Sequence, residues 1–258
     1  MLPPVMSINS TFSNGVATIE IARPEKKNAL TMAMYQAMAD LIVAAQADRA
    51  VHALLIVGQP GVFTAGNDLA DFMANPPTSE NSPVFRFMHS LMRCEKPVVA
   101  AVTGAAIGIG TTLLLHCDLV YIAEDSRLGM PFVSLGIVPE FASTLLLPRL
   151  MGQVQAAEKL LLGEPFTGLE AVAFGLANKA MPAAEVLGYA RQVAERFKLL
   201  PAGAVRETKQ LLRAALVDRV AATVHTEGQA FMRRLHSAEA KEALQAFFEK
   251  RRPDFSKL

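Results

Sequence analysis

Apolar residues cluster in short runs bounded by glycine, proline or polar residues, the pattern of strands, and alternate with longer stretches of helical period. Val16 to Ile21 and Ala53 to Val57 read as strands, with a helix from Met34 to Ala47 between them. The pattern recurs: Val98 to Val102 reads as a buried strand, Thr111 to His116 as a helix-like run, and Leu119 to Ala123 as a strand. The spacing predicts α/β architecture, with stacked ββα-type turns around one core. Beyond Pro148 the strands are expected to stop, because Val154 to Leu162, Thr167 to Phe174 and Ala184 to Leu199 read as helices, with Gly163 and Gly175 as C-terminal stops. After Pro201, Ala202 to Arg251 is almost continuously amphipathic and too small for a core of its own. The chain therefore divides into a core over residues 1–200 and a helical region over 201–258.

Composition narrows the function classes. With 258 residues, 52% of them hydrophobic, the chain has ample apolar surface to bury. The net charge of +1 arises from 25 basic and 24 acidic residues, so no overall field attracts nucleic acid or an anionic membrane. The two cysteines, Cys94 and Cys117, have neither metal-ligand nor disulfide-framework spacing, which points to a reducing compartment. The histidines show no ligand spacing, so no metal site is expected. No apolar run reaches the ~18–20 residues of a membrane span, and no charged-then-apolar leader is evident.

Two turns of small residues carry candidate chemistry: Phe63-Thr64-Ala65-Gly66-Asn67-Asp68-Leu69, and Gly104-Ala105-Ala106-Ile107-Gly108-Ile109-Gly110. The second runs straight into a helix, so free N–H groups face a turn with no side chains in the way. Two converging backbone donors form an oxyanion hole. Gly108-Ile109-Gly110 lacks the third glycine of a dinucleotide fingerprint, Leu113 standing in its place, and neither a phosphate loop nor a G-x-S-x-G elbow occurs.

The order Arg23-Pro24-x-x-x-Asn28-Ala29-Leu30, Phe63-x-Ala65-Gly66-Asn67-Asp68-Leu69, Lys96-Pro97-Val98-x-Ala100-Ala101-Val102-x-Gly104-x-Ala106-x-Gly108-x-Gly110 and Cys117-Asp118 resembles the enoyl-CoA hydratase/isomerase (crotonase) superfamily along nearly the whole chain. Phe247 to Pro253 resembles that family's last helix. The resemblance implies a crotonase-like ββα superhelix with a helical C-terminal trimerisation region, giving a homotrimer or hexamer. It implies acyl-CoA thioester substrates, with coenzyme A part of the substrate and no separate cofactor. It also implies that the backbone N–H groups of Asn67 and Ile109 form the oxyanion hole, with a register choice between Ile109 and Gly110. Lys26, Lys27, Leu30, Ala65, Gly66, Asp68, Leu69, Gly108 and Gly110 fall at substrate-binding positions.

The resemblance places the two glutamates of the hydratase branch at Thr112 and Phe132, neither of which moves a proton. Ordinary hydration is therefore disfavoured, and Thr112 is expected to contribute little chemistry. Leu135-Gly136-Ile137-Val138-Pro139-Glu140 instead places a carboxylate where the peroxisomal-type Δ3,Δ2-enoyl-CoA isomerases carry their base, and Arg23 to Ala29 leans the same way. Apolar neighbours Phe132, Ile137, Val138 and Phe141 suit a base whose pKa is raised toward neutrality. A helix N-terminal carboxylate, catalytically idle, is the competing reading of Glu140. Two other readings stay open: a crotonase-fold acyl-CoA binder without turnover, and another enolate reaction such as decarboxylation or thioester hydrolysis. The last three residues, Ser256-Lys257-Leu258, match a peroxisomal address. The expected location is the cytoplasm, or the peroxisomal matrix in a eukaryotic source.

Overall fold

The computed structural model describes residues 7–79 and 81–258; the expectation about a leader falls on residues 1–6, which lie outside the described residues. The chain opens with an antiparallel hairpin, β1 (Ile8–Ser13) and β2 (Val16–Ile21), followed by α1 (Met32–Ala47). Three strand pairs come next: β3 (Ala53–Val57) with β4 (Val62–Thr64), β5 (Val98–Val102) with β6 (Ala105–Ile107), and β7 (Leu119–Ala123) with β8 (Arg127–Gly129). The first pair leads into α2 (Leu69–Ala74) and α3 (Pro83–Met92), the second into α4 (Ile109–Thr112), and the third into α5 (Ser143–Met151). Within each pair the first strand joins a six-stranded sheet, β3-β5-β7 in parallel, and the second joins a four-stranded sheet, β4-β6-β8 in parallel. The result is the expected ββα spiral, each turn advancing both sheets by one strand.

The large sheet is covered on both faces, which explains why its central strands are apolar throughout. Leu54, Ile56, Val98, Ala100 and Val102 face one cluster with Met34, Met38 and Phe87 from α1 and α3. Alternate residues Leu55, Val57, Val99 and Ala101 pack against Val186, Ala190 and Ala194 of a later helix.

Strands do not stop at Pro148. Short β9 (Phe166–Thr167) and β10 (Lys179–Met181) close the edges of the two sheets, and Pro148 lies inside α5. Strands of two or three residues are too short to show a period, so no local pattern reveals them. The remaining helices are α6 (Gln153–Ala157), continued by a π-helical turn over Glu158–Leu162, α7 (Gly168–Ala173) and α8 (Ala183–Arg196). Gly163 and Gly175 adopt positive φ at the expected stops.

The C-terminal helical stretch is divided into α9 (Ala202–Ala214), α10 (Val217–Leu235) and α11 (Ala238–Glu249), with Ser237 capping the last through Ala240 N. Part of its apolar surface is covered within this chain: Val220, Val224 and Phe231 of α10 belong to the main core. Leu211 and Leu212 of α9 remain exposed. Asp118 anchors α9 to the sheet, accepting from Val98 N, Lys209 and Arg213 at 2.6–2.8 Å. Among the described residues no helix is long and apolar enough to cross a membrane.

Asn28 fixes the segment before α1. Fully buried at φ +56, its side chain accepts from Arg23 N at 2.7 Å and donates to Val62 O and Phe63 O at 3.0 and 3.1 Å. Asparagine tolerates this left-handed backbone better than most residues and satisfies all three groups. Replacing Asn28 with Ala strands those groups in the interior. Asn28→Ala is expected to lower the unfolding free energy by about 2–4 kcal/mol in urea titration; a loss within error of zero contradicts this role.

Candidate active site

The two glycine turns meet across the small sheet. Leu30 and Asn67 form a parallel bridge in which Leu30 N donates to Gly66 O and Asp68 N to Leu30 O. Gly66 sits at φ +90, where a Cβ would come within 2.8 Å of Ile107 O, so only glycine lets this loop approach β6 so closely. The neighbouring amides are taken: Ala65 N by Lys27 O and Gly66 N by Thr64 Oγ1. Among the described residues, no acceptor takes the Asn67 amide. In the second turn Gly108 N donates to Gly129 O, while Thr111 N and Thr112 N donate to Gly108 O. That leaves the amides of Ile109 and Gly110 at the start of α4, where no intrahelical carbonyl is available.

These elements border a deep, mostly apolar cleft. Lys26, Lys27, Ala65, Gly66, Asp68, Leu69 and Gly108 line its outer part, together with Phe132 at one of the hydratase glutamate positions. Asn67, Ile109, Phe72 and Phe231 border both this outer part and a small inner cavity. Leu30 and Gly110 do not line the cleft. Leu30 is buried beneath it, its backbone occupied with the Asn67 loop, and Gly110 is pressed against Thr64, which a Cβ would meet at 2.6 Å. Leu30 thus supports the loop from below, and of the two free amides in the second turn it is Ile109 that belongs to a residue on the cavity wall. Asp68 spends its carboxylate on Arg23, at 2.7 Å, and on the first amides of α2.

Glu140 also lines the inner cavity and is only 7% exposed. It does not cap α5: Ala142 is the N-cap residue, and the amides of Ala142 and Thr144 donate instead to Glu227 of α10. Oε1 of Glu140 accepts from the Thr112 hydroxyl, and Oε2 is buried without a hydrogen-bond partner. Thr112 is therefore no bystander; it holds one oxygen of this carboxyl. Burial pushes Glu140 up to about 8, with the Thr112 hydroxyl opposing the shift and the charge of Glu227 adding to it.

Sequence reasoning does not find Tyr35 or Glu227. Tyr35 is buried in α1, and its hydroxyl donates to Asn67 Oδ1 at 2.5 Å, fixing that side chain against the core. Its signal is hidden because it lies on the apolar face of α1. Glu227 carried a readable signal: a carboxylate on the stripe of Val220, Val224 and Phe231, where a solvated charge does not belong.

A family model described as Enoyl-CoA hydratase/isomerase matches residues 11–257. The chain belongs to the enoyl-CoA hydratase/isomerase family. Among members of this family, a probable enoyl-CoA hydratase of Bacillus subtilis (strain 168) is 34% identical over 96% of this chain and 98% of its own length. Enoyl-CoA delta isomerase 2 of Rattus norvegicus is 33% identical over 92% of this chain and 62% of its own length. Among solved structures, OdaA of Pseudomonas aeruginosa is 50% identical with a TM-score of 0.92, covering 93% of this chain and 98% of that one. Relatives in the enoyl-CoA hydratase/isomerase family thus carry both reaction names.

The raised pKa has a consequence for stability. In the unfolded chain Glu140 ionises near 4.5, in the folded chain near 8. Folding therefore favours the neutral acid, and the contribution that is full below about 4.5 is lost as pH rises through 8. Glu140→Gln, neutral in both states, should raise the melting temperature relative to wild type more at pH 8 than at pH 4.5. A difference independent of pH contradicts the raised proton affinity.

Proposed function

We propose that this protein shifts the double bond of a 3-enoyl-CoA to the 2-position, with Glu140 as the single proton carrier. The observation that carries this reading is that Glu140 is the one ionisable side chain on the inner cavity among the described residues, with Oε2 free of hydrogen bonds. The ionised carboxylate removes a proton from C2, and the electron pair moves through the thioester carbonyl to give a dienolate. The amides of Asn67 and Ile109 hold the enolate oxygen, favouring the transition state over the ground state. The same carboxyl returns the proton at C4, and the carbonyl re-forms conjugated to the new double bond. No water enters the balance.

Relatives named hydratases point to water addition. Against that reading, Thr112 and Phe132 occupy the positions the resemblance gives to the paired glutamates, and neither activates water. The relative named delta isomerase supports the double-bond shift. Lys26 and Lys27, at the cleft's outer end, are our candidates for the CoA phosphates, where a loop lysine acts as a point charge. The exposed Leu211 and Leu212 support assembly as a trimer or hexamer.

The test is spectroscopic. Glu140→Gln cannot accept the C2 proton, so isomerisation of 3-enoyl-CoA should fall by about 10²- to 10⁴-fold, with binding retained. In the wild type the base works only when ionised, so kcat should rise with pH through about 8. Crotonyl-CoA should not be hydrated measurably. Near-full isomerase activity in the variant, or efficient hydration by the wild type, overturns the proposal.

A further inference from the structure

Phe141 and Ala142, directly after Glu140, are both left-handed, at φ +59 and +56. Two adjacent residues with a Cβ in this region are strained and persist only where the surroundings enforce them. Two contacts do so. His116 Nε2 lies 2.8 Å from Phe141 O, and its ring stacks on Phe141 with centroids 3.8 Å apart. Burial pushes His116 down to about 4, so at neutral pH the ring is uncharged and donates Nε2–H to that carbonyl.

The second contact comes from α10, far along the chain. Glu227, only 6% exposed, receives Ala142 N on Oε2 at 2.6 Å, and Thr144 N and Thr144 Oγ1 on Oε1 at 2.9 and 2.5 Å. Both oxygens take donors, the arrangement suited to an ionised carboxylate. It holds the backbone on the helix side of the turn, as His116 holds it on the other side.

We propose that Glu227 is a positioning residue for proton transfer, fixing the Phe141–Ala142 turn so that the Glu140 carboxyl faces the cavity and keeping a second carboxylate behind it. This rests on Glu140 being the base. Three titratable groups face Glu140 or its turn: Glu227, Tyr35 and His116. Burial raises Tyr35 well above its ordinary range, and His116 is neutral, so neither ionises near pH 8. Burial raises the proton affinity of Glu227 while the Thr144 and Ala142 donors oppose that shift, and its charge in turn raises the proton affinity of Glu140.

The experiment is a cycle of Glu140→Gln, Glu227→Gln and the double variant, followed by single-turnover isomerisation of 3-enoyl-CoA across pH. The amide of Glu227→Gln accepts on one side only and turns an N–H donor against another. Its kcat should fall about 10- to 100-fold with KM changed less than ~3-fold, as for a misaimed reacting group. The pH midpoint of kcat should move down, because the charge behind Glu140 is gone. In the double variant Glu227→Gln should add nothing to the loss from Glu140→Gln. An unchanged rate and pH midpoint in Glu227→Gln overturns the proposal, as does a full multiplicative loss in the double variant. Activity retained by Glu140→Gln alone defeats the base reading instead. If Glu227→Gln does not fold by circular dichroism, Thr144→Val removes one donor to Glu227 and should still lower kcat several-fold; an unchanged kcat there overturns the positioning role.

Discussion

Taking the carboxyl of Glu140 out of water pushes its pKa to about 8, and segments distant in sequence are arranged to hold it there. Thr112 of α4 binds one oxygen, His116 and Glu227 pin the backbone that follows, and Phe141 closes the cavity wall beside it. A buried acid without these supports would turn to solvent or to the helix start, where a carboxylate gains from the dipole. Glu227 takes that helix-start position, which leaves Glu140 free to face the cavity.

The second requirement is a pair of amides whose hydrogen-bonding capacity is left unspent. In the Asn67 loop every adjacent amide is committed to a neighbour, and at α4 the helix start leaves Ile109 without an internal partner. Both turns are positioned by the small sheet, since β4 ends at one and β6 at the other. The spiral thus brings the two turns side by side, Gly66 against the carbonyl of Ile107. Tyr35 and Asn28 brace the first turn from the core.

The large sheet is legible in the sequence because β3, β5 and β7 are continuous apolar runs, and burial on both faces demands such runs. The strand β1 is not, since five of its six residues are exposed and show no alternation. Its hairpin is announced instead by Asn14-Gly15, whose positive φ values are those of a tight hairpin turn. Asn67, Ile109 and Glu140 are legible through small-residue turns and family resemblance, both local in sequence. The contact between Ala142 and Glu227 spans 85 residues and leaves only a misplaced charge on an apolar stripe as its trace. Thr112 cannot move a proton, so its residue type carries no signal in the sequence; its role is to hold Glu140 Oε1, which depends on where Glu140 comes to rest.

The central claim is that one carboxyl, shielded from water, carries the same proton from C2 to C4. Glu140 Oε2 has no hydrogen-bond partner among the described residues through which the hydron would exchange. A 3-enoyl-CoA substrate carrying deuterium at C2, converted in ordinary water and analysed by mass spectrometry and NMR after one turnover, tests this directly. The account predicts a measurable fraction of product with deuterium at C4. Product with only solvent-derived hydrogen at C4 from the first turnover contradicts it.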